Sequence, residues 1–153
     1  MDKDALHLED LAPGQRYGSR KRIAVTADDI TGFAALYDPQ PFHLDEEAAR
    51  GSAFGGLAAS GWHTAAMTMG VIARHVLETE QAGLGSPGVD ELRWLRPVYP
   101  GDTLTVSSRV VEVTPSRSKP DMGSFRSEVV VTNQDQVPVM RFTSIVLMRR
   151  RPG

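Results

Sequence analysis

Residues 33–49 read FAALYDPQPFHLDEEAA. An apolar run at helical spacing stops at Asp38, Pro39 and Pro41 follow at alternate positions, and His43 sits between Phe42 and Leu44. Pro39 must end the helix, because the residue before a proline is pushed out of the helical region. Each proline also fixes its own φ, so Asp38 and Gln40 are both expected to be extended. A stiff segment of this kind holds an acid and an imidazole at a reproducible separation, as a shared proton-transfer task requires. A carboxylate there can orient the imidazole, or share a water with it, and keep it in one tautomer. On spacing alone the plainer reading is favoured: Asp38 caps a turn and His43 is a half-buried structural histidine.

Upstream, Thr26 followed by Asp29 is a near match to a capping box, and Ile30, Phe33, Ala34 and Tyr37 fall at helical spacing. A strand is expected within residues 15–25, after a lead-in of residues 1–14 closed by Pro13-Gly14. Downstream, FGGLAASG (54–61) is a small-residue connection, and WHTAAMTMGVIARHVLE (62–78) reads as a longer helix. That helix is small or apolar nearly all round, which predicts burial on most sides. Four strand-like runs follow at about 89–95, 103–114, 125–132 and 137–148, rich in Val, Thr and Phe and separated by turn residues. Helices early and strands late predict an α+β fold, an antiparallel sheet packed on one long helix.

The bulk properties narrow the function classes. The chain has 153 residues, 24% charged and 41% hydrophobic, with a formal charge of -2. That is one domain's worth of chain, residues 1–153, with ordinary globular composition and no electrostatic reason for a nucleic-acid partner. There are no cysteines, which excludes disulfides and thiolate chemistry. No signal-peptide core or bilayer-length apolar run is present, so a cytoplasmic protein without membrane association is expected. The basic end at 149–153 reads as a solvated tail.

The pattern Asp38-x-Gln40-Pro41-x-His43 after an F-A-x-L helix end, followed by FGG and Ser60-Gly61, resembles the MaoC-like dehydratases, the (R)-specific enoyl-CoA hydratases. LRWLRPVYPGDTL (92–104) continues the likeness, which covers nearly the whole chain. The family motif has Asn where this chain has Gln40 and an aliphatic residue where it has Phe42. The resemblance implies a hot-dog fold, in which a curved antiparallel sheet wraps a central helix and two subunits join sheets as a homodimer. It implies an acyl-CoA or acyl-carrier-protein enoyl thioester as substrate, no cofactor and no metal. Asp38 and His43 would then activate a water and return a proton to the α-carbon. Gly61 would offer a backbone N–H to the thioester oxygen, in keeping with the free donors and dipole of a helix N-terminus. The chain departs from the family at Ser60, where His is common, and at Met69, where some members place a Ser that steadies the Asp. Thr68 should face elsewhere, which leaves Gln40 or water to orient Asp38, and Gln40 and Ser60 are read as supporting residues of the site.

Two other functions stay open on sequence. Hot-dog thioesterases commonly carry an acid on the central helix, and none occurs between Gly56 and Val76. A non-catalytic acyl-binding subunit is the third reading, against which the intact Asp38 and His43 stand. His63 and His75 lie twelve residues apart, which excludes an i, i+4 metal pair, and each reads as a satisfied core or rim histidine. Met67, Met69 and Trp62 read as core, and residues 116–119 as a solvated basic hairpin tip.

Overall fold

The β-branched second half of the chain forms the sheet. The structure, a computed structural model, describes residues 5–153, and the first four residues of the lead-in lie outside that range. Its strands are β1 (Arg16–Tyr17), β2 (Arg22–Ala24), β3 (Gly83–Trp94), β4 (Thr103–Pro115), β5 (Met122–Thr132) and β6 (Pro138–Arg149). Every pairing is antiparallel, in the order β1-β4-β5-β6-β3, with β2 also on β4. In β4, Leu104, Val106, Ser108 and Val110 are buried while their neighbours are less so, and β5 repeats the alternation with Phe125, Ser127, Val129 and Val131. That is the period of a sheet with one covered face. Register shifts at Val110/Glu112 and at three places in β3 supply the local twist that bends a sheet.

Among the described residues the helices are α1 (Ala27–Tyr37), α2 (Pro41–Leu44), α3 (Glu46–Arg50) and α4 (Gly61–Glu78), with a short 3-10 turn at Leu8–Asp10. Helix α4 packs on the sheet: Val71, Ala65, Met67 and Ile72 share a core with Leu104, Val106, Val129, Val131 and Phe142. This is the α+β architecture the sequence predicts. Among the described residues no helix is long and apolar enough to cross a membrane.

Four expectations need correction. The strand expected within 15–25 is two short strands, because Gly18 at φ 138 breaks the extended path between them. Strand β3 begins at Gly83, earlier than the apolar run at 89 suggests, because Gly85, Pro87 and Gly88 hide a strand that lies at the sheet's edge. Helix α4 is not covered on most sides: Trp62, Met69 and Leu77 are exposed by 58%, 51% and 78%. One chain's sheet covers one flank of that helix and leaves the opposite flank bare. Finally, the basic end is not simply solvated. Arg150 and Arg151 pair with Glu9 and Asp10, beside Leu8, which is buried against Phe125 and Met148.

Candidate active site

Helix α1 starts where Thr26 Oγ1 accepts from the Asp29 N–H (3.1 Å) and ends where the Asp38 N–H reaches the Ala34 carbonyl (2.9 Å). Only part of the following segment is extended. Gln40 is (φ -82, ψ 143), whereas Asp38 (φ -155, ψ 67) lies outside the usual extended region. Pro41 then opens helix α2, so His43 sits on a helical turn and not on a straight rod. Proline's fixed φ suits the first helical position, where no N–H is needed, so the second proline starts a turn where the first ended a helix. The turn brings His43 Nε2 back to 3.5 Å from Asp38 Oδ2.

His43 is buried, and its Nδ1 lies 2.6 Å from the Ala58 carbonyl oxygen. A carbonyl only accepts, so Nδ1 carries the hydrogen and Nε2 is the nitrogen left for chemistry. A bare Nε2 lone pair cannot face a carboxylate oxygen without a hydrogen between them. The pair therefore shares either a proton on Nε2 or the hydrogens of a bridging water.

Asp38 is held by two donors. Ser60 Oγ donates to Oδ2 (2.7 Å) and Gln40 Nε2 donates to Oδ1 (2.6 Å). The Ser60 hydrogen bond, then that of Gln40, hold the carboxyl below its ordinary pKa; partial desolvation opposes them, and the neighbouring His43 adds a lesser lowering. Ser60 has a second duty, because its Oγ accepts from the Trp62 N–H (3.2 Å) and caps α4. Thr68 donates instead to the Thr64 carbonyl (2.8 Å), and Met69 is half exposed, so neither steadies Asp38. Ser60→Ala should lower stability by about 1 kcal/mol through the lost cap. Removing a donor to the ionised form also raises the Asp38 pKa, so the acid limb of any pH–rate profile should move to higher pH. An unmoved acid limb would show that Ser60 does not tune this carboxyl.

Gly61 is the first residue of α4, and its N–H needs no helical partner. A side chain there is blocked by Trp94, whose ring atoms lie 2.3–2.6 Å from where a Cβ would stand. The Trp94 indole Nε1–H donates to the Gly61 carbonyl (2.9 Å), and its ring meets Trp62 edge-on at 5.0 Å. Sequence reasoning missed Trp94. It stands in the quoted run 92–104, but nothing in one dimension ties the end of β3 to the start of α4. A cavity of about 240 Å³ adjoins these groups, lined among others by His43, Gly61, Thr64, Phe54, Trp94 and Val98.

The model of the MaoC like domain matches residues 9–135. The chain belongs to the MaoC-like family. A solved MaoC-like dehydratase from Rhodospirillum rubrum superposes with a TM-score of 0.86 at 46% identity, covering 97% of this chain and all of that one. A 3-hydroxybutyryl-CoA dehydratase from Methylorubrum extorquens is 32% identical over 139 residues, 88% of this chain and 84% of the relative. The uncharacterised protein YdeM of Bacillus subtilis is 30% identical over 145 residues, 95% of this chain and 100% of the relative. The MaoC-like fold is the hot-dog fold, a curved antiparallel sheet around a helix, as found here.

Proposed function

We propose that this chain catalyses the reversible, (R)-specific addition of water to a trans-2-enoyl thioester of coenzyme A or acyl-carrier protein. The observation that carries the reading is the pairing of a half-buried Asp38 carboxylate with the buried His43 imidazole, with Nδ1 committed to Ala58 and Nε2 turned to the carboxylate. A water held between Nε2 and Asp38 loses a proton to the pair as its oxygen bonds to the β-carbon. The electrons of the double bond move toward the thioester oxygen, where the Gly61 N–H meets the developing charge. The pair then gives a proton to the α-carbon, so one H and one OH have been added. Asp38 and His43 act on the water together, and neither transfer is assigned to one of them. No cofactor enters this chemistry.

The cavity, smaller than the ~300–1,000 Å³ usual for drug-sized ligands, suits a short acyl chain. Crotonyl-CoA should accordingly give a higher kcat/KM than trans-2-octenoyl-CoA, and the reverse order would overturn that preference. The decisive assay follows the conjugated double bond and free thiol together on crotonyl-CoA. Loss of conjugation without thiol identifies a hydratase, thiol release a thioesterase, and neither a binding subunit. Coupling to an (R)-specific 3-hydroxyacyl-CoA dehydrogenase reads the product's configuration.

The same reading includes a homodimer or a larger homo-oligomer. Strand β3 ends the sheet with one open edge, and Val89, Trp94 and Leu95 stand exposed along and just beyond it, with the exposed Trp62 against Trp94. An open edge of this length, with exposed apolar side chains at Val89 and Trp94, favours pairing with a second copy. Light scattering at micromolar concentration should give at least twice the chain mass, and a monomer mass would defeat the expectation.

A further inference from the structure

A second cavity, of about 550 Å³, opens between β2 and the flank of α4 that faces away from Gly61. It shares no lining residue with the cavity beside His43. Its floor is apolar, with Ile23, Met67 and Val71, and its rim carries Lys21, Arg22 and Arg74. Lys21 is occupied by Glu78 at 2.6 Å, whereas neither Arg22 nor Arg74 forms an ion pair among the described residues. Arg74 folds back along the helix over Gly70: its Nη1 lies 3.0 Å from where a Cβ at that glycine would stand. The bare backbone at Gly70 gives the guanidinium its place across the groove.

His63 supplies the polar group of this cavity. The expected satisfied histidine is not what the structure contains. His63 is 94% buried and stacks on Phe33 at 4.7 Å, and its Nδ1 is sealed from solvent without a hydrogen-bond partner among the described residues. Burying an unpaired N–H donor is costly, so the stable ring leaves Nδ1 as a lone pair and carries its hydrogen on Nε2. Nε2 is not sealed and takes no partner from the described residues, and His63 lines the cavity. Burial, opposed by Asp29, holds the ring toward its neutral form. The groove therefore combines an imidazole, buried as a residue, whose Nε2–H takes no partner from the described residues, with two uncommitted guanidiniums above an apolar floor.

We propose that this groove is a second ligand site for an amphiphilic anion: an oxyanion head held by Arg22, Arg74 and His63 Nε2–H, with a short apolar tail over Ile23, Met67 and Val71. A carboxylate and a phosphate monoester share the head chemistry, since either can take the forked N–H groups of arginine. The site is separate from the proposed reaction centre and does not depend on it.

The test uses the full chain, with ring resonances of His63 and His43 each assigned by substitution. Octanoate, octyl phosphate, inorganic phosphate and octanol are titrated in turn. Octanoate or octyl phosphate should shift the His63 signals saturably, with a Kd of about 1 mM or tighter, and the better of the two identifies the head group. Octanol and inorganic phosphate should bind at least tenfold more weakly, since each lacks half the ligand. Asp38→Asn should bind as the wild type does. The Arg22→Gln, Arg74→Gln double variant should raise Kd at least tenfold, while Arg74→Lys, which keeps charge but loses the fork, falls between. Anions that shift only His43, a double variant that binds normally, or no saturation for either amphiphile would each overturn the proposal.

Discussion

Asp38→Asn and His43→Gln should each lose about 10²- to 10⁴-fold in turnover on an enoyl thioester while remaining folded. The asparagine keeps the shape of Asp38 and can still accept from Ser60, but it removes the charge that Nε2 faces at 3.5 Å. The glutamine can still offer an N–H to the Ala58 carbonyl, but it carries no basic nitrogen. Because the two are proposed to act on the same water, removing both should cost little more than removing the worse one. Disappearance of the conjugated absorbance gives the rates, and a thermal melt of each variant checks the fold. Near wild-type turnover in either single variant would sink the assignment. A pH signature accompanies the charge. Asp38 has a depressed pKa in the fold, so it contributes stability present above its unfolded value of about 3.9 and lost as pH falls through the lower folded value. The Asp38→Asn protein should therefore lose less stability than the wild type on acidification below about pH 4.

Gly61→Pro should remove the N–H proposed to hold the thioester oxygen, at a cost of about 10²- to 10³-fold in turnover. Proline suits the first helical turn, and the native backbone there is helical, so chain geometry does not forbid it. Trp94 complicates the comparison. Alanine or proline at 61 would put a Cβ into the indole, so Gly61→Ala in the native background is not a benign control. Overpacking of that sort costs about 1–3 kcal/mol unless the half-exposed ring swings away, which would break its bond to the Gly61 carbonyl. The measurement therefore belongs in a Trp94→Ala background, where residue 61 can be Gly, Ala or Pro without collision. Alanine keeps the N–H and should stay within a few-fold of glycine in that background. Proline should fall the full factor. Equal rates for Ala and Pro would place the oxygen's donor elsewhere.

Local chemistry made much of this legible from the sequence. The start of α1 at Thr26 and its end at Asp38 follow from a hydroxyl acceptor and a proline, which act within four residues. The alternation in β4 and β5 declares one buried face. The recurrence of Asp38, Pro41 and His43 in a known pattern drew the attention that spacing alone did not justify. What stayed hidden depends on distant parts of the chain. Pro41 opening a turn was readable in principle, since proline both ends helices and starts them. Ser60 as a partner of Asp38 needed the loop between α3 and α4 to fold back across 22 residues of sequence. Trp94 over Gly61 needed the end of the edge strand to reach a helix 33 residues earlier. The exposed flank of α4 misled because an all-round apolar helix announces burial without saying which surface provides it.

Among the described residues strand β3 pairs only with β6, the last of these strands in chain order. During synthesis, Gly83–Trp94 therefore leaves the ribosome with no partner until Pro138–Arg149 has followed it, while β4 and β5 can already close their hairpin. Until then Trp94 lacks the sheet that sets it over Gly61, so the cavity beside His43 is among the last features to assemble. The wait exposes a long strand to wrong pairing, and its sequence suits that interval. Gly85, Pro87 and Gly88 weaken β structure, and Asp90, Glu91 and Arg93 carry charge along the unpaired edge. A chain cut shortly before residue 138 would thus carry helices and a hairpin, with no finished site and β3 without its partner.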